Sequence, residues 1–300
     1  MTPVESEVRA REDFYAELVT RNRGLIPDED QSRLRSAAIL VAGCGSVGGA
    51  AIEPLVRLGA EHLALADPGD YELANLNRQR ATLDDLFRNK AQVHADRMAR
   101  INPHASVQVE PKGLTEYNLD ALVGAADIVV DGVDVTTVDA VRLKVGLHLA
   151  AARAAVPVVC GYDVAGVQAL LVYDYRRPGT PALGGKFGSG EAATITPLEF
   201  MAREVPTAAL PLEIVPVVIS QVAGTGDGFP QLVYTADLFG VLAARAVLEL
   251  LAGHPVRKQT IVDIHQLLRP GSQRRRVRVA RAVALLKLAR TLARAKKGRS

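Results

Sequence analysis

The chain has 300 residues, with 36 Lys and Arg against 33 Asp and Glu, a formal net charge of +3. Twelve of those cations and no acid lie between Arg269 and Ser300, so residues 1–268 carry a net −9 and an acidic body is joined to a basic tail. A hydrophobic content of 48% with 23% charged residues excludes a disordered or collagen-like chain, and 4% aromatics without Trp argues against a nucleic-acid reader built on stacked rings. Cys44 and Cys160 are the only cysteines, which excludes a disulfide framework and a Cys-only zinc site. No apolar run reaches the roughly 18 residues that span a bilayer, and the opening MTPVESEVRARED has no apolar signal region, so a cytoplasmic protein is expected.

In chain order, the run 37–42 (AAILVA) reads as a buried strand entering a glycine cluster, and residues 47–58 have helical spacing. A second strand is predicted over 62–66, ending at Asp67 and the turn Pro68-Gly69. Strands at 107–109, 128–130 and 156–159 follow, separated by helices near 90–100 and over 138–154. Strands alternating with helices predict an α/β fold, a doubly wound and mostly parallel Rossmann-like sheet covered on both faces. Residues 168–175 read as an antiparallel addition, 178–193 as a Gly- and Pro-rich loop, 235–251 as a helix and 260–265 as a strand. The division expected is an N-terminal helical segment (1–35), a central domain (36–268) with its loop at about 178–200, and a basic tail (269–300).

Residues 43–48 fit G-x-G-x-x-G through Gly43, Gly45 and Gly48, with Cys44, Ser46 and Val47 between them, placed after a strand and opening a helix. Glycines permit the tight turn and close backbone approach to phosphates, the helix start offers free N–H groups, and Asp67 can accept from ribose hydroxyls. Alone, this pattern reads as a dinucleotide site. The next segment, DPGDYELANLNRQ, changes that reading, because Asn75, Arg78 and Gln79 leave the second strand at the mouth of the site. Arg78 suits a bidentate phosphate contact, Lys90 adds a point charge, and Asp134 after the 128–130 strand suits Mg²⁺ held between phosphate oxygens. Upstream, Arg21-Asn22-Arg23 offers an arginine of the kind that stabilises developing phosphate charge.

In these motifs the chain resembles the ThiF-type adenylyltransferases, a family that includes the molybdopterin-synthase adenylyltransferase and the adenylation domains of ubiquitin-activating enzymes. The likeness runs through RNR (21–23), AGCGSVGG (42–49), LADPGDYELANLNRQ (65–79), NKAQ (89–92), RINPH (100–104), DGVD (131–134) and VPVVCG (156–161). It implies Mg²⁺-ATP at the glycine turn, attack of a carboxylate on the α-phosphate, and release of pyrophosphate from an acyl-adenylate. By position, Asp67 would hold the ribose, Arg78 and Lys90 the phosphates and Asp134 the metal, with Arg23 an arginine finger acting across a homodimer. The acyl donor implied is the C-terminus of a small carrier protein or a peptide.

Three departures qualify the likeness. Many relatives carry two CxxC pairs for zinc, and some a loop cysteine that captures the acyl group; neither is possible here, so no zinc site and no loop thioester are expected. Phe87 stands where Gly commonly precedes the lysine by three, and Val135 follows Asp134 where Asn is usual. Cys44 and Cys160 read as small packing residues, and His104, His254 and His265 as structural or solvated, with no spacing that promotes any histidine to a catalytic or metal-binding role.

The tail has three readings. Lys287, Arg290, Arg294 and Lys297 oppose Leu285, Leu288 and Leu292 on a helix over 284–297, which fits docking on the body. Electrostatic capture of RNA is the second, and an anionic membrane or acidic protein partner the third. Three functional rivals accompany the adenylyltransferase reading: the family's tRNA-modifying dehydratase acting on threonylcarbamoyl-adenosine, a non-catalytic nucleotide-binding scaffold subunit, and an NAD-dependent oxidoreductase, which leaves NLNRQ unexplained.

Overall fold

The computed structural model describes residues 11–187, 190, 191, 194–226 and 228–297; side chains 294–297, and with them Arg294 and Lys297 of the tail, lie outside that description. Parts of the expected N-terminal segment, central loop and tail end therefore fall outside the described residues.

Two helices, α1 (Arg11–Leu18) and α2 (Asp28–Ser36), lead into strand β1 (Ala38–Ala42) and helix α3 (Gly48–Leu58). Next come β2 (His62–Ala66), α4 (Lys90–Ile101), β3 (Ser106–Glu110), α5 (Leu119–Gly124), β4 (Ile128–Asp131) and α6 (Val138–Ala154). The antiparallel pair β5 (Val158–Val164) and β6 (Val167–Tyr173) follows, then α7 (Pro197–Glu204), α8 (Val215–Val222) and α9 (Val233–Leu251). Strand β7 (Gln259–Asp263), α10 (Ile264–Leu268) and α11 (Gly271–Lys297) close the described chain.

The sheet has seven strands in the order β3-β2-β1-β4-β5-β6-β7, the first five parallel and β6 and β7 antiparallel. Continuous apolar runs such as 39–42 and 128–130 are buried on both faces, as a covered parallel sheet requires. One core layer joins Ile39, Val41, Ile52, Leu55 and Val130 to Phe239 and Val247 of α9, and the other joins Leu40, Val129 and Val158 to Val141, Leu147 and Phe200. The chain leaves β1 towards β2 on one side and reaches β4 on the other, so the order reverses between β1 and β4. That reversal opens a crevice at the carboxyl ends of the two strands, where open α/β sheets bind ligands.

Predicted and observed elements agree closely in the periodic segments and differ at three ends. Strand β5 runs on to Val164 instead of ending at 159, because residues 161–164 pair with β6. Strand β7 stops at Asp263 instead of running to His265, because the Asp263 side chain accepts from Gln266 N at 2.8 Å and caps α10. Helix α11 begins at Gly271, well before 284, and packs on α8 and the short turn 212–214. Leu288 is buried there, Leu285 and Leu292 are half-buried, and Arg281 donates to the carbonyls of Leu210 (2.6 Å) and Thr207 (2.8 Å), so apolar and cationic side chains together dock the helix. Val279, Val283 and Leu286 point outwards from the docked helix. Among the described residues no helix is long and apolar enough to cross a membrane.

Candidate nucleotide site

Three glycine backbones meet where β1 and β4 end. Gly43 has φ +82°, and a Cβ on it would lie 2.4 Å from the carbonyl oxygen of Gly132. A Cβ on Gly48 would sit 1.9 Å from the Gly43 oxygen, and one on Gly132 would sit 2.6 Å from the Gly48 nitrogen. These contacts lock the turn and the start of α3 against the β4 exit. Gly45 is different: its built Cβ meets only the Gln79 amide, at 3.7 Å, so its backbone borders open space that a phosphate can enter.

Asp67 follows β2 and fixes this turn from the side. Its carboxylate accepts from Cys44 N at 2.6 Å through one oxygen and from Gly69 N at 2.7 Å through the other. Each oxygen keeps a lone pair for a further donor such as a ribose hydroxyl. Asn89, the N-cap of α4, accepts from Gln92 N and donates to the Asp67 carbonyl at 2.9 Å, which brings Lys90 to the Asp67–Gly69 turn. The Lys90 ammonium lies over the Tyr71 ring at 5.9 Å.

The loop after β2 carries the predicted NLNRQ residues. The Asn75 side chain accepts from Glu72 N at 3.1 Å and closes a capping box on a short 3₁₀ turn, so it serves the loop's own geometry. Arg78 donates through one Nη to Ala74 O (3.1 Å) and to Asn77 Oδ1 (2.8 Å), while its Nε is buried and unpartnered. Burial lowers the Arg78 pKa, and the carboxylates of Asp163 and Asp134 oppose that shift. Gln79 reaches Gly45, and its Oε1 is also buried without a partner. Asp134 is exposed on the loop after β4, where it accepts from Val135 N at 2.7 Å and from the Thr136 hydroxyl. A single exposed carboxylate suits Mg²⁺, which keeps most of its waters.

Residues that the sequence did not flag sit beneath the site. Asp131, the last residue of β4, accepts from the Lys144 ammonium at 2.6 Å and lies 3.0 Å from His148 Nε2, all three in the interior. His148 Nδ1 meets the Tyr175 hydroxyl at 2.7 Å, and that hydroxyl accepts from Leu183 N at 3.0 Å. Asp131 also accepts from Val133 N, and Lys144 donates to Val133 O, so this network holds the 131–134 turn from below. His148 thus has a carboxylate partner. The partner is seventeen positions away on a different element, which no local spacing reveals.

Arg23 is not brought to the site in its own chain. It donates to Ala16 O at 3.3 Å, and its neighbour Asn22 donates to Leu58 O, at the far end of α3 from Gly48. An eleven-residue helix separates the two by about 16 Å. Both cysteines are buried and their thiols are pushed well up by burial, which fits packing. His104 packs edge-on against Phe14, and His265 hydrogen-bonds Tyr234 at 2.6 Å. Phe87 has φ +63° and is 84% exposed, so the position where relatives commonly have Gly does adopt the left-handed backbone that favours it.

Fold and site together define a doubly wound sheet with a glycine-turn nucleotide crevice. The ThiF family pattern matches residues 19–283. The chain belongs to the ThiF family. It is 33% identical over 180 residues to the Mycobacterium tuberculosis protein MT1398, covering 60% of this chain and 24% of that protein. It is 29% identical over 178 residues to the molybdopterin-synthase adenylyltransferase of Escherichia coli, covering 57% of this chain and 70% of the relative. Among solved structures, the ATP complex of the E. coli tRNA N6-threonylcarbamoyladenosine dehydratase superposes with TM-score 0.58 at 21% identity, over 82% of this chain and 98% of that one. The E. coli MccB complex with MccA superposes with TM-score 0.56 at 19% identity, over 80% and 64%. At these identities the structural likeness is one of fold.

Proposed function

We propose that this chain is an ATP-dependent adenylyltransferase that activates a carboxylate as its acyl-adenylate. The observation that carries the reading is the Gly43–Gly48–Gly132 contact, which leaves Gly45 open at the strand-order reversal, with Arg78 and Asp134 on the surrounding loops and Lys90 at the start of α4. The triphosphate would lie along Gly45, Ser46 and the start of α3, with the ribose on Asp67 and the phosphates on Arg78, Gln79 and Lys90. Mg²⁺, when bound, would neutralise phosphate charge at Asp134. A carboxylate oxygen attacks the α-phosphorus, the bond to the bridging oxygen of the β-phosphate breaks, and pyrophosphate leaves with that electron pair. No proton moves in this step, so the chain's contribution is orientation and charge. Arg23 serves as the finger in a neighbouring copy's site, since its own chain keeps it at the opposite end of α3.

The acyl donor is the C-terminus of a small carrier protein or a peptide, a reading supported by relatives named adenylyltransferases of molybdopterin synthase and of the sulfur carrier protein ThiS. Without a loop cysteine the adenylate passes directly to its acceptor. The functional unit is 36–268, with 1–35 carrying the finger and 269–300 forming the basic tail, whose helix α11 docks on the body. ATP–pyrophosphate exchange with a synthetic peptide ending in Gly-Gly tests the proposal: exchange in the wild type that falls at least tenfold in Arg78→Ala and Asp134→Ala supports it. ATP binding without exchange for any carboxylate would favour the scaffold reading.

A second reading moves the same adenylation to tRNA, and the exposed cations of α11, Arg274, Arg275, Arg276 and Arg278, favour it. Binding of tRNA that weakens steeply with salt and vanishes on removal of 271–300 would support that alternative.

A further inference from the structure

Asp163 is a buried carboxylate to which the adenylation reading assigns no part. Strand β5 runs beyond Cys160, the partner of Asp131 at the end of β4, so Asp163 stands about 10 Å past the β4 exit. It opposes Gln168 in the antiparallel ladder and shares a strand face with Gly161, against which Phe239 of α9 packs. That is the face covered by α3 and α9, the side on which the glycine-turn helix lies.

Both Asp163 oxygens are buried and have no hydrogen-bond partner. The Nε of Arg78 is buried and unpartnered as well. Each charge acts on the other: Arg78 is the cation that draws the Asp163 pKa down against burial, and Asp163 acts on Arg78 ahead of Asp134. The unpartnered Gln79 Oε1 and Gln168 Oε1 are acceptors, so Arg78 Nε is the unpartnered donor whose charge acts on Asp163. One orphaned donor therefore lies within electrostatic reach of two orphaned acceptors, an arrangement that native interiors rarely leave unused.

We propose that Asp163 is a positioning residue for Arg78: its carboxylate takes the Nε edge of the guanidinium and turns the Nη edge away from Ala74 and Asn77 towards the nucleotide phosphates. The inference rests on the nucleotide reading given above. A guanidinium is a rigid planar fork, so fixing one edge on a buried carboxylate sets the direction of the other. The cost of burying Asp163 is then the cost of holding Arg78 ready for phosphate.

A double-mutant cycle on ATP affinity tests this in the full chain by titration calorimetry. At about pH 8, where Asp163 is ionised, Asp163→Asn should weaken ATP binding about tenfold, the worth of one charge-assisted hydrogen bond, while the same change in an Arg78→Ala background should alter it less than about twofold. Asp163→Glu should recover most of the loss. Equal losses in both backgrounds, or none in either, would overturn the proposal. A nucleotide-free readout separates this from failure of the nucleotide reading: the Arg78 Nε–H resonance, assigned by its absence in Arg78→Ala, should shift or exchange faster in Asp163→Asn. If wild type binds no ATP, the functional proposal fails, and an Nε–H signal unchanged by Asp163→Asn then rules out the pairing too.

Discussion

The Asp131 carboxylate and the Lys144 ammonium meet at 2.6 Å in the interior, directly under the turn that presents Asp134. Lys144 stays charged because Asp131 offsets its burial, and Asp131 stays ionised because Lys144 and His148 offset its own. Removing one partner leaves a buried charge uncompensated, so Lys144→Met should destabilise the fold by about 3–5 kcal/mol in urea unfolding. A loss under about 1 kcal/mol would mean that water reaches Asp131.

Gly48→Ala and Gly45→Ala should behave in opposite ways. The first drives a methyl to 1.9 Å from the Gly43 oxygen and should lower the melting temperature sharply or prevent folding. The second meets nothing nearer than 3.7 Å, so it should fold with a melting temperature close to wild type while losing ATP affinity. Loss of stability in both, or of ATP affinity in neither, would remove the case for Gly45 as the phosphate contact.

Phe87→Gly should stabilise the chain by about 1 kcal/mol, since a left-handed non-glycine residue costs that much and the exposed ring contributes little packing. Thermal unfolding of the pair measures it. A drop in stability would show that the phenyl ring has a contact that offsets its backbone strain.

His94 is buried against Tyr71, with its Nε2 3.0 Å from the Tyr71 hydroxyl, and burial pushes its pKa down to about 4. The neutral ring is favoured in the fold, so its contribution is present above the unfolded value of about 6.5 and is lost as pH falls towards 4. That window is worth about 3 kcal/mol. Chemical unfolding of wild type and His94→Gln across pH 4–7 should show the stability of wild type relative to the variant falling as pH drops from about 6.5 to 4.

Asp163 has the opposite sign. Burial pushes its pKa up to about 7, so the protonated form is favoured in the fold. The contribution is full below about 4 and lost as pH rises through about 7. The stability of wild type relative to Asp163→Asn should therefore fall between pH 4 and pH 7. A flat difference would mean that Asp163 ionises as an exposed carboxylate does.

Much of the fold was legible because covered parallel strands and α6 carry strong periodic signals, and the glycine turn announces the crevice between them. The residues around it were legible only as types. Arg78 and Asp67 could be named as candidates, but Asp163 could not, because it comes within electrostatic reach of Arg78 only after β5 overshoots β4 and pairs with β6. The Asp131–Lys144–His148 network is assembled from a strand end and one helix face, and its acid and bases are too far apart in sequence to read as a cluster. Arg23 could be recognised by its RNR context, yet only the packing of Asn22 on the end of α3 shows that its own site is out of reach. The start of α11 was missed because the arginines at 274–276 have no apolar face, and the helix there is ordered by Arg281 and Leu288 further on.

Calorimetric titration of the full chain with ATP and, separately, with NAD tests the central claim most directly. The account predicts Mg²⁺-dependent ATP binding that weakens at least tenfold in Arg78→Ala, with NAD bound far more weakly. Binding of NAD in preference to ATP, unaffected by Arg78→Ala, would contradict it.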